Sequence, residues 1–139
     1  MAGKVSAKGA VIALDDSAGT PRTISTSVES YEIEYAVDEV EVTGMNEGSH
    51  NFTPGQLVIG VTLNVLWDTT ATTGAWTVIR GIIGSTSSKT LSITPESGAV
   101  ALSGEFMCTG VSISGDPGSA IKLGAVKFVV MGSTAPAWA

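Results

Sequence analysis

Residues 57 to 67 read LVIGVTLNVLW, and the odd positions Leu57, Ile59, Val61, Leu63, Val65 and Trp67 are all apolar. The even positions are a mixture of Val58, Gly60, Thr62, Asn64 and Leu66. A period of two over eleven residues predicts a long strand with one buried face. The same period recurs at YEIEY (31–35), where Tyr31, Ile33 and Tyr35 alternate with Glu32 and Glu34. EVEVT (39–43) repeats it, with Val40 and Val42 against Glu39 and Glu41. Residues 36 to 38 between them read either as a hairpin connection or as a bulge in one long bent strand.

Further strands are expected at 8–14 (KGAVIAL), closed by the turn signal DDSAGTP, at 22–35 and at 89–93 (KTLSI). Two long strands, ALSGEFMCTGVSIS and SAIKLGAVKFVVMG, flank a turn GDPG at 115–118. Their alternation changes phase near Cys108 and again near Ala125, which points to bulges or bends. One segment breaks the period. WTVIRGII places Trp76, Ile79 and Ile83 at i, i+3 and i+7, a helical face. Asp68 to Thr73 offer side chains to cap it, and Gly84 offers a stop. Gly81 inside that stretch costs about 1 kcal/mol against alanine, so the helix depends on packing. The expectation is a mainly β, antiparallel single domain over 1–139, with seven or eight strands and one helix. Its one long polar loop is GMNEGSHNFTPGQ at about 44–56, and loops of that length are more often functional than accidental.

Composition narrows what such a domain does. Only 14 % of the 139 residues are charged and 43 % are hydrophobic. A monomer usually carries more charge on its outside, so part of this surface is expected to meet another copy. Net charge is −6, which argues against a groove that neutralises phosphates. Seven of the thirteen acids fall between Glu29 and Glu47, with no Lys or Arg among them.

Candidate chemistry is sparse. Cys108 is the single cysteine, so no internal disulfide and no cysteine-based zinc site is expected. His50 is the single histidine and lies in the polar loop, whereas Cys108 sits mid-strand, so an activated nucleophile beside a base is not expected. Glu32/Glu34 and Glu39/Glu41 are neighbours along a strand face and read as an acidic surface rather than a hydrolytic pair. No glycine-rich phosphate loop or EF-hand pattern occurs. We therefore expect no enzyme, no cofactor and no metal. The N-terminus lacks a signal-peptide pattern, and the longest apolar run is too short to span a bilayer. The expectation is a protein made in the cytoplasm that stays soluble until it assembles.

The segment LWDTTATTGAWTVIRGIIGS resembles the major tail proteins, or tail tube proteins, of long-tailed phages. In that family a strand runs into a Thr/Gly stretch and then a short helix. DDSAGTPRTISTSVES is similar to the family's opening, and EVEVTGMNEGSHNFTPG to the segment before its long strand. ALSGEFMCTGVSISGDPGSAIKLGAVKFVVMGS is similar to its paired C-terminal strands. The resemblance covers nearly the whole chain in order, and its weight lies in the ordered set. It implies a β-sandwich with one flanking helix. Six copies would form a ring with a continuous lumen β-barrel, and rings would stack into a tube. The tube would enclose the tape measure protein, meet tail terminator and distal tail proteins, and conduct DNA without binding it specifically. The implied location is the virion of a non-contractile tail, assembled in the bacterial host cytoplasm.

On that reading Glu32, Glu34, Glu39 and Glu41 are expected to face the lumen. Met45, Asn46, Glu47, His50, Asn51 and Phe52 are expected to form an inter-ring loop, and Trp76, Ile79 and Ile83 to pack the helix on the sheet. The rival reading is an immunoglobulin-like decoration or baseplate binding module, in which the same loop would contact capsid or host.

Overall fold

The computed structural model describes residues 4–96 and 98–139. Eight strands and one α-helix follow in order: β1 Val11–Asp15, β2 Pro21–Thr23, β3 Val28–Glu41, β4 Phe52–Leu66, α1 Ala75–Ile82, β5 Lys89–Thr94, β6 Leu102–Asp116, β7 Ser119–Val130 and β8 Ala137–Trp138. All strand pairs are antiparallel, in the order β2-β1-β5-β6-β7-β4-β3, with β8 paired to the start of β6.

The sheet curls over on itself. Seven strands laid flat span about 29 Å, whereas an eight-residue helix is about 12 Å long and cannot cover them. Yet Ile12 and Leu14 of β1, Leu91 and Ile93 of β5, Val61, Leu63 and Val65 of β4 and Phe128 of β7 all lie in one buried cluster. The two layers of the sandwich are thus halves of one hydrogen-bonded sheet. Where its ends approach, a seam forms between residues 7–12 and residues 25–31.

α1 closes part of the core with Ala75, Val78, Ile79 and Ile82. The helical face is therefore not the expected one. Ile79 is buried, but Trp76 is half-buried and stacks on Trp67, with ring centroids 5.2 Å apart. Ile83 lies one residue past the helix and is 43 % exposed. The stack with Trp67 draws Trp76 aside, and the buried stripe moves to its neighbours. Gly74 starts the helix without a side-chain cap. The Asp68 carbonyl accepts the Trp76 N–H instead. A Cβ on Gly74 would stand 2.6 Å from the Asp68 carbonyl oxygen, so the turn closes only around glycine. Gly84, at φ +72°, ends the segment as expected.

Three other expectations are corrected. Residues 7–9 form a 3-10 turn rather than the first turn of a strand, because the Ser6 hydroxyl accepts the Lys8 N–H. The run 22–35 is not one strand. Ser25–Ser27 form a second 3-10 turn that carries the chain from the β2 edge of the sheet to the β3 edge. The polar loop is shorter than 44–56, since Phe52–Gln56 already belong to β4, and Phe52, Thr53 and Pro54 pair with β3.

The long hairpin β3–β4 settles the choice left open at 36–38. Val37 pairs with Leu57 and Glu39 with Pro54. Gly55 and Gln56 therefore stand opposite Asp38 alone, a bulge in β4. β3 runs on without interruption. The phase changes near Cys108 and Ala125 are bulges too: the β6–β7 register shifts between Cys108 and Gly110 and between Gly110 and Ser112. Ala125 takes φ +50°, and its N–H donates to the Asn64 side-chain oxygen.

Candidate assembly surface

β4 pairs with β7 only from Gly60 to Leu66. Beyond that, residues 35–41 and 52–59 form a two-stranded arm. Isolated two-stranded ribbons are at best marginally stable in water. This one also leaves Tyr35, Val37, Val40, Val42, Phe52, Leu57 and Val58 about half exposed. A run of apolar side chains on a projecting ribbon marks a contact surface. At the root, the Trp138 indole N–H donates to the Tyr35 hydroxyl at 2.8 Å, so the C-terminal segment braces the arm.

The tip is residues 42–51. The Val42 N–H donates to the Asn51 carbonyl at 2.8 Å, and the Asn51 N–H donates to the Thr43 hydroxyl at 2.7 Å. His50 Nδ1 lies 2.7 Å from Glu41 Oε1, and its ring stacks over Phe52. Met45 stands fully in solvent. The structure thus brings His50, Asn51 and Phe52 to the neck of the loop, and Met45, Asn46 and Glu47 to its end. Phe52 belongs to the strand and not to the loop.

The four acids do not share one surface. The β4 bulge leaves the alternation of β3 intact, so Glu32 and Glu34 lie on the face away from the core. Glu39 and Glu41 lie on the other face, the one that carries Tyr31 and Ile33. The expectation of a single four-acid wall is therefore corrected: the split was hidden because the extra residue is in the partner strand. The Glu32 row also continues through Thr62 to Lys127, so that face is mixed in charge.

Two free edges flank the four-stranded part β3-β4-β7-β6. β3 is the last strand of the sheet. β6 is paired to β5 only over Leu102–Phe106, and Cys108 makes one isolated bridge to Ile83. From Thr109 to Asp116, β6 has β7 on one side and, among the described residues, no strand on the other. Unpaired edges are templates for another chain. Sequence reasoning missed the β6 edge, because alternation reports which face is buried and not which edge is paired.

Chemistry elsewhere is unpromising. Burial pushes the Cys108 thiol up, which disfavours the thiolate that a nucleophile needs. Among the described residues no group of three His, Cys, Asp or Glu is gathered as metal ligands, and no helix is long and apolar enough to cross a membrane. Asp16 and Asp68 are held below the usual carboxylate range. For Asp16 the cause is first the Thr20 N–H and then the Arg22 side chain; for Asp68 it is the Thr70 hydroxyl and N–H. Both are turn-forming acids in loops.

Solved structures that share this fold include the following two. One is a chain from the virion of a native gene transfer agent particle, with a TM-score of 0.78 and 16 % identity over 98 % of this chain and 99 % of that one. The other is a chain from the tail of an empty gene transfer agent particle with C6 symmetry, with a TM-score of 0.76 and 18 % identity over the same shares. No protein-family model matches the chain, and no curated protein does. At these identities the likeness establishes a common fold: an antiparallel sheet curled around one core, with one helix.

Proposed function

We propose that the protein is a structural subunit of a phage-like tail tube. Six copies close into a ring, and rings stack into a hollow tube. The observation that carries this reading is the pair of free edges on the β3-β4-β7-β6 sheet. β3 holds Glu29, Glu32, Glu34, Asp38, Glu39 and Glu41, whereas the β6 edge from Thr109 to Gly115 holds no ionisable side chain. Pairing β3 with β3 would set like charges against each other, which destabilises a sheet. Pairing β3 with the free β6 edge of the next copy, whose one acid is Asp116 at its end, largely avoids this. Such a contact joins two different surfaces, and a repeated contact of that kind closes into a ring when the rotation allows. The shared fold with a chain of a C6-symmetric tail supports six as the number.

In that ring the face with Glu32 and Glu34 lines the bore, mixed with Thr62 and Lys127. A wall without a basic stripe does not hold a polyanion, so DNA slides through, and the tape measure protein fills the space before it. Residues 42–51 reach from one ring to the next. Tail terminator and distal tail proteins meet the two ends of the tube. The place of action is the virion, after assembly in the bacterial cytoplasm.

Electron microscopy of the purified protein at high concentration, in low and high salt, tests the reading. Hollow six-fold rings or tubes are expected. Monomers alone, even with tape measure protein added, would overturn it in favour of a decoration or baseplate module. Charge reversal in the bore (E32K/E34K) is expected to leave tubes intact and to slow DNA release; unchanged release would remove these acids from the wall.

A further inference from the structure

A sizeable cavity lies away from the arm, at the seam where the curled sheet nearly meets itself. It measures about 610 Å³ and is lined by Lys8, Ala10, Ile12, Ser25, Val28 and Tyr31, among others. Val28 and Tyr31 are at the start of β3, whereas the arm tip follows its end. From Tyr31 to Glu41 a strand covers about 33 Å, so groove and tip sit at opposite ends of one strand.

Their chemistry is complementary. The tip carries Glu47 beside the fully exposed Met45, and the Glu47 carboxylate makes no ion pair among the described residues. Glu41 is already engaged by His50. The groove offers apolar walls from Ile12, Val28 and Tyr31, with Lys8 among its lining residues. Its one acid, Glu29, is paired with Lys122 Nζ at 3.5 Å. The groove is thus left with an uncompensated positive group, and the tip with an uncompensated negative one.

We propose that the seam groove is the receptor for the arm tip of a second copy, with Met45 seated against Ile12, Val28 and Tyr31 and Glu47 paired with Lys8. The inference rests on the tail tube reading and names the partner surface that its stacking contact uses. Donor and receptor lie at opposite ends of the subunit, so copies that stack in the same direction meet head-to-tail, and a contact of that kind goes on adding copies along one axis when its rotation does not close a ring, as a tube of variable length requires. The side-by-side β3–β6 contact sets the ring; the tip and groove set the stack.

The test uses the full chain. M45C and A10C proteins are mixed in equal amounts under assembly conditions, oxidised, and compared with each alone. A mixed covalent dimer is expected only in the mixture, since buried Cys108 is present in all samples. In parallel, K8E is expected to form rings but at least tenfold fewer tubes, and K8E/E47K to restore them. Of the four positions Lys8, Met45 and Glu47 are exposed and Ala10 is half-buried, and unchanged circular dichroism checks that the variants fold. Wild-type tubes with no mixed dimer, or K8E tubes as abundant as wild type, would overturn the groove assignment while leaving the tail tube reading standing. Failure of the wild type to form rings or tubes overturns both.

Discussion

The two ends of the β3–β4 hairpin follow the same alternation and meet opposite fates. At the sheet end Ile59, Val61, Leu63 and Val65 are each no more than 3 % exposed. At the arm end Leu57 and Phe52 stand half in solvent. Nothing in the residue types separates them. The difference is the partner: β7 and the rest of the core cover the first set fully, whereas the second is only half covered, Phe52 by the His50 ring. Burying a large apolar side chain stabilises by about 1.5–3 kcal/mol, so the sheet end holds the monomer together, whereas the arm end gains only when another copy arrives.

The sharpest way to break this contrast is to truncate an aromatic in each region. Phe106→Ala or Phe128→Ala should cost about 3–5 kcal/mol of monomer stability, read by urea unfolding. Phe52→Ala should change monomer stability by less than about 0.5 kcal/mol and yet abolish tubes by electron microscopy. A Phe52 variant that unfolds early would place the arm inside the folding unit. Next in size is Gly74→Ala. Its new methyl meets backbone at 2.6 Å, and overpacking of this kind costs about 1–3 kcal/mol without touching the arm, so the stacking of the folded fraction should be unchanged.

Salt should separate the regions with a smaller effect. Each copy carries −6, and the arm and β3 hold most of the clustered acids. Raising ionic strength shortens the Debye length from about 10 Å at 0.1 M to about 3 Å at 1 M. Assembly, followed by light scattering, should therefore improve, while the unfolding midpoint of the monomer barely moves. Assembly weakened by salt would show that ion pairs dominate the contacts. The smallest effect expected is with acid. Asp16 and Asp68 have folded pKa values depressed below 3.8, so both bind protons less readily folded than unfolded. Their contribution is fully present above pH 3.8 and is lost as pH falls through the lower folded values. D16N/D68N should accordingly flatten the acid limb of a pH–stability curve below about pH 4 and leave assembly at neutral pH unchanged.

Much of the fold was legible because alternation is a local signal. The strands at 57–67 and 89–93, the helix after the threonines, and the phase changes at Cys108 and Ala125 all follow from side chains that must point inward or outward. What escaped depends on partners. Whether 36–38 turned or ran on was settled by Gly55 and Gln56 across the ribbon. The stripe of α1 shifted because Trp76 met Trp67. Phe52–Gln56 read as loop because Pro54 and Gly55 are poor strand residues, but β4 is there a strand with one free edge, where proline is tolerated. The acids were legible as a cluster and not as two faces. The seam groove was invisible, since its walls are brought together only by the curl of the sheet.

Hydrogen–deuterium exchange on the protein below and above its assembly concentration tests the central claim most directly. The outward N–H groups of β3 and of residues 109–116 have no partner strand among the described residues of one copy. The account predicts that both segments exchange quickly in the monomer and become protected together on assembly, while β5 is protected throughout. Assembled particles in which β3 and 109–116 still exchange as fast as in the monomer would contradict it.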